Sequence, residues 1–247
     1  MRKNLFLMSK NLIFLLLMLM AAMAASASTA SPAADSTLYH FSWTCDDQKR
    51  TCDVFIDDSL LAYYRNDRGH LAYRYTSFNA DDSKAPANYF SFVFSEPGRE
   101  TVRDLALQLV SDTMTLEERI MSALTFVQAL PYSKDRASKG VEEYVRYPVE
   151  TVADGRGDCE DKAVLLAALF DVLEVDYVLF LLTDHAALGV QCNSIEADRY
   201  FAIDGKKYYY LETTNPKWKI GQIPKEHQRS VFEFYPPRTT HTLVVKG

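Results

Sequence analysis

Three side chains that together can break an amide occur in the order cysteine, histidine, carboxylate: Cys159, His185 and Glu212. Cys159 stands in the stretch GRGDCEDKAVLLAALF, crowded by Asp158, Glu160 and Asp161. A neighbouring negative charge disfavours the thiolate, which is the reactive form of a cysteine. Either Cys159 is an inert thiol on an apolar helix, or something offsets its neighbours. Asp158 with Asp161 three residues on reads as an N-cap and its capping partner, which puts Cys159 in the first turn of a helix. There the helix dipole and the free N–H groups favour a thiolate, and the Cys159 N–H can face a developing oxyanion. With the His185 imidazolium as a positive partner beside the dipole, the expected thiol pKa is below the free value of about 8.5.

His185 opens the run HAALGV, and Glu212 is the one acid of the aromatic run YYYLE. Taken singly, each reads as a solvated residue at a strand end. Taken together, on a helix, a strand and a further strand, they read as nucleophile, base and orienting carboxylate. A Cys159–Cys192 disulfide would silence such a site. Cys192 lies seven residues beyond His185, about 23 Å along a continuous strand at ~3.3 Å per residue, so both cannot touch Cys159.

The elements that must carry these residues are legible in part. A hairpin is expected to Asp57, and the parity of Phe41, Trp43 and Cys45 against Cys52, Val54 and Ile56 suggests a cross-strand Cys45–Cys52 disulfide. DDSLLAYYRNDRG reads as a short helix, and HLAYRYTSF and NYFSFVFSE as strands. Helical spacing follows in GRETVRDLALQLVSDT and in TLEERIMSALTFVQAL, the latter opened by the capping pair Thr115 and Glu118. Residues 131–157 read as a long ordered loop, and the Cys159 helix runs from Asp158 to about Leu173. DYVLFLLTD and HAALGVQC are strands, and RYFAIDGKKYYYLETT is a hairpin turning at Asp204–Gly205. Irregular chain follows, with a final strand at HTLVVK. The order predicts an α+β protein: a β-rich region over 37–112, then a catalytic domain over 113–247 in which the nucleophile helix packs on an antiparallel sheet.

Residues 1–27 combine a basic start (Arg2, Lys3, Lys10), an apolar middle and a small-residue end at Ala25–Ala27, which is the pattern of a cleaved signal peptide. An uncleaved membrane anchor is the alternative, and it is the only membrane contact the sequence suggests. Export, to a periplasm or the exterior, is expected. Removing those three cations from the 27 basic residues leaves 24 against 33 acidic ones, a net charge of −9. That balance excludes nucleic acid as a partner. No Cys/His spacing fits zinc and no loop signature fits calcium, so no cofactor is expected.

YPVETVADGRGDCEDKAVLLAAL, HAALGV and YYYLETT resemble the transglutaminase-like cysteine peptidases of the papain-like superfamily. The resemblance spans about Leu116 to Ile223, and GDCEDKA is its most specific part. It implies a papain-like core, Cys159 as nucleophile, His185 as base and Glu212 as third member of a triad. FVQALPY resembles the segment that precedes the nucleophile in these enzymes, which implies Gln128 as a second oxyanion donor. The implied activity is thiol acyl transfer on a protein or peptide amide, resolved by water in a peptidase or by an amine in a protein transglutaminase. A non-catalytic envelope protein that keeps the fold is the alternative of a different class.

Overall fold

The computed structural model describes residues 35–67, 85–192, 199–230 and 232–237. The signal-like segment 1–27 and the expected strands at 70–78 and 241–246 lie outside the described residues. Among the described residues, no helix is long and apolar enough to cross a membrane.

The chain opens with the antiparallel hairpin β1 (Ser36–Cys45) and β2 (Gln48–Asp57). Asp46 and Asp47 both take positive φ, 48° and 59°, the tight two-residue turn whose twist matches the strands it joins. That turn sets the register. Cys45 faces Gln48, and Cys52 faces Phe41. The two cysteines share the buried face, as their parity requires, but sit four residues apart along the hairpin, about 13 Å at ~3.3 Å per residue. Both are free thiols, so the expected disulfide is not formed. The hairpin lays Phe41 and Trp43 edge-on against Phe126, at ring separations of 5.4 and 5.3 Å.

Helices α1 (Asp58–Arg65), α2 (Ala85–Val93) and α3 (Arg99–Leu109) come next, with a 3-10 turn at Glu96–Gly98 before α3. The run NYFSFVFSE, expected as a strand, is therefore mostly helical. Its aromatic spacing satisfies both periods, and the partner decides: Tyr89, Phe92 and Val93 are buried at helical spacing. Helix α4 (Leu116–Ala129) starts with the expected capping box, Thr115 N–H donating to Glu118 Oε2 at 2.7 Å and Glu118 N–H to Thr115 Oγ1 at 3.3 Å. The expected loop 131–157 holds two short helices, α5 (Asp135–Ser138) and α6 (Pro148–Asp154). The second begins on Pro148, with the Glu150 carboxylate taking the Tyr147 N–H at 3.1 Å, and ends on Gly155 at φ 60°.

Helix α7 (Cys159–Val172) is buried along its whole length from Cys159 to Phe170. The run VLLAALF suits a helix buried on every face, and the buried charged residues of the first turn, Glu160, Asp161 and Lys162, are each hydrogen-bonded. Helices α2, α3, α4 and α6 and the strands β3 (Tyr177–Leu182) and β4 (His185–Gln191) all pack against it. The sheet is completed by β5 (Phe201–Ile203), β6 (Lys206–Leu211) and β7 (Glu233–Tyr235), in the order β5-β6-β4-β3-β7 with every pair antiparallel. Asp204 and Gly205, at φ 49° and 77°, make the β5–β6 turn as the sequence predicts. This is an α+β architecture with the Cys159-bearing helix against an antiparallel sheet.

Candidate active site

Cys159 is the first residue of α7, with Asp158 as its N-cap. Asp161 reaches back to the Asp158 N–H at 3.3 Å. His185 is the first residue of β4, and Glu212 follows the last residue of β6. Helix start and strand ends thus meet at one edge of the sheet. His185 Nε2 lies 3.1 Å from Glu212 Oε2, and the Cys159 sulfur is in hydrogen-bond contact with the backbone N–H of Ala186, the residue after His185. All three sequence-predicted residues are brought to one place.

Glu212 is held at both oxygens. Tyr210 OH donates to Oε2 at 2.9 Å, while the Thr214 N–H and Oγ1–H donate to Oε1 at 2.9 and 2.7 Å. Burial pushes its carboxyl upward, but His185 and Thr214 outweigh burial and hold it at about 2. The carboxylate is therefore ionised throughout the neutral range.

Cys159 differs from expectation. Its S–H donates to Glu160 Oε2 at 3.0 Å, and burial together with the Glu160 charge raises the thiol above its ordinary value rather than lowering it. Capping does not turn Glu160 away, because its carboxylate is buried beside the sulfur. Burial and Asp161 raise Glu160 itself to about 7. Both effects favour the protonated form of the Cys159 thiol.

Gln128 also departs from the role that the resemblance implies. Its side-chain Nε2 donates to the carbonyls of Glu212 at 2.8 Å and Trp218 at 3.0 Å, so both amide hydrogens are spent. A glutamine with no N–H to give cannot cradle an oxyanion; it braces the chain that carries Glu212. Buried Lys162, one turn after Cys159, extends that brace by donating to the carbonyls of Leu130 at 2.8 Å and Thr214 at 3.2 Å. Burial lowers its ammonium to about 8.

Behind Cys159 lies a set of buried carboxylates: Asp135, Asp158, Glu160 and Asp161. Arg146, fully buried, pairs with Asp135 at 2.8 Å, with Asp154 at 3.0 Å and with Asp161. Burial and the neighbouring carboxylates Asp161 and Glu160 raise Asp158 to about 11. One oxygen each from Asp135, Asp158 and Asp161, and one each from Asp135, Glu143 and Glu160, lie within 4.8 Å of one another, the donor chemistry of a hard cation.

A fourth residue escaped the sequence reading. His227, on the 3-10 turn Lys225–His227, stacks on His185 with ring centroids 4.5 Å apart and planes 5° from parallel. Donor atoms of His185, Glu212 and His227 also lie within 4.8 Å of one another. Parallel imidazoles carry parallel in-plane lone pairs, which do not converge on one ion as zinc ligands must. No periodicity or motif marks His227, because it sits in irregular chain 15 residues after Glu212.

Two solved structures are similar in part. One, from Cytophaga hutchinsonii and provisionally named a cysteine protease, shares 12% identity over 73% of this chain and 65% of its own, with a TM-score of 0.34. The other, described as a TGase, shares 11% identity over 78% of this chain and 48% of its own, with a TM-score of 0.27. The chain thus spans under two thirds of the first and about half of the second. No curated protein matches it in sequence. The profile of the transglutaminase-like domain matches residues 100–225, just over half of the 247 residues, and the chain belongs to that family.

Proposed function

We propose that this protein is an exported cysteine peptidase that works by thiol acyl transfer on a peptide or side-chain amide. The observation that carries the reading is the 3.1 Å bond between His185 and Glu212, with the Cys159 sulfur against the adjoining Ala186 N–H. Glu212 holds one ring nitrogen, which leaves the other for the thiol.

The raised thiol decides the order of events. Cys159 is not a standing thiolate, so His185 takes its proton as the sulfur attacks the carbonyl carbon. A C–S bond forms, and the negative charge moves to the carbonyl oxygen. The Cys159 N–H, in the first turn of α7, is a donor for that charge, and the helix dipole assists it. As the C–N bond breaks, the imidazolium returns the proton to the departing amine. Water then attacks the thioester, His185 again acting as base, and frees the acid and Cys159. A primary amine in place of water gives transglutamination through the same steps. Export rests on the signal-like residues 1–27.

The test is a peptide library incubated with a labelled amine, using wild type and Cys159→Ala. The reading predicts released peptide that depends on Cys159. Amine incorporation in place of release would make the protein a transglutaminase. No Cys159-dependent product of either kind would favour a binding protein that keeps the fold.

A further inference from the structure

We infer that His227 is a positioning residue for His185, an inference that rests on His185 being the base. A hydrogen bond fixes one point of a ring, not its plane. With Nε2 tied to Glu212, the His185 imidazole can still pivot about that bond and carry its other nitrogen away from Cys159. A flat surface against one face removes the freedom. His227 supplies it, 4.5 Å away and within 5° of parallel. Stacking of this kind restrains a ring while leaving its in-plane nitrogens available.

His227 is itself well held. Its N–H donates to the Pro224 carbonyl at 3.0 Å, and its carbonyl accepts the Ser230 N–H at 3.1 Å. The chain that leads to it is tied to the sheet by the Gly221 N–H on the Tyr210 carbonyl at 2.8 Å. Tyr210 in turn donates to Glu212. One strand end thus anchors both the carboxylate that holds the edge of His185 and the turn that holds its face. His227 lies two residues beyond the stretch matched by the family profile, which ends at 225.

The experiment is a double-mutant cycle read by the rate at which iodoacetamide alkylates Cys159 near neutral pH. His227→Ala should slow alkylation by roughly 3- to 100-fold, the range in which small misplacements of a reacting group act. His227→Phe, which keeps a flat ring and no nitrogen, should recover most of the rate. In a His185→Ala background, His227→Ala should change nothing further, because the effect runs through His185. A His227→Ala rate within twofold of wild type would overturn the inference, as would equal losses in both backgrounds. If His227→Ala does not fold, His227→Phe decides alone: a rate as low as that of His185→Ala overturns the inference, and a near-wild-type rate sustains it. Equal rates in wild type and His185→Ala would remove the base itself, a separate failure.

Discussion

At the residue scale the site is an argument between charges. The helix dipole and a His185 imidazolium were expected to leave Cys159 easily ionised, yet Glu160 is buried beside it and accepts a hydrogen bond from its S–H. Sequence places an acid next to a cysteine but says neither how deeply the pair is buried nor which way the acid turns, and here burial first and the Glu160 charge second reverse the sign. Replacing Glu160 by Gln removes the nearest charge that opposes the thiolate. The inflection of Cys159 alkylation against pH should then move down relative to wild type, and an unchanged or higher inflection would contradict the assignment. Glu212→Gln removes the charge that faces His185 and leaves the brace by Gln128 and Lys162 intact, since those bonds go to backbone carbonyls. Turnover of the peptide found by the library screen should fall by between about tenfold and 10⁴-fold in a folded protein.

At the scale of elements, what could be read from the sequence was whatever is set locally. The Thr115–Glu118 box, the Asp158–Asp161 cap and the Asp204–Gly205 turn are each a few residues satisfying their own backbone groups. The aromatic run at 88–96 and the loop at 131–157 were not legible: α7, far along the chain, decides the first, and the buried Arg146, tying Asp135, Asp154 and Asp161 together, decides the second. The first hairpin shows the boundary between the two cases. The parity of Cys45 and Cys52 was readable, but their register depends on whether Asp46–Asp47 makes the turn. Mass spectrometry without reductant should find both as free thiols, and a Cys45–Cys52 crosslink would contradict the register. Gly157 tests the start of the nucleophile helix. A Cβ there would lie 2.6 Å from Asp161 Cβ, in the carboxylate that caps the Asp158 N–H. Gly157→Ala should cost about 1–3 kcal/mol in denaturant unfolding, the usual penalty of overpacking.

At the scale of the whole molecule, the site is assembled from a helix start and two strand ends that are 26 and 27 residues apart in sequence, and buried carboxylates lie behind it. Those carboxylates set the response to pH. Glu160 keeps its proton up to about 7 when folded and loses it near its ordinary value of 4.5 when unfolded. Across that interval the folded state binds more protons, so stability is fully present below about 4.5 and is lost as pH rises through about 7. Glu212, held at about 2, has the opposite sign but acts only below about 4.5. Thermal unfolding should therefore occur at a lower temperature near pH 7.5 than near pH 5, and Glu160→Gln should reduce the difference, the remainder coming from Asp158, which burial and its neighbours raise to about 11. The claim that most depends on the complete fold is that Cys159 and His185 act as one unit, with the histidine taking the proton of a thiol that is neutral at rest. The most direct measurement is the rate of Cys159 alkylation by iodoacetamide near neutral pH in wild type and His185→Ala, with Cys159→Ala as the blank. A wild-type rate at least about tenfold above that of His185→Ala is predicted, a threshold one order of magnitude below the 10²–10⁴-fold contribution of a positioned base. Equal rates in the two proteins would contradict it.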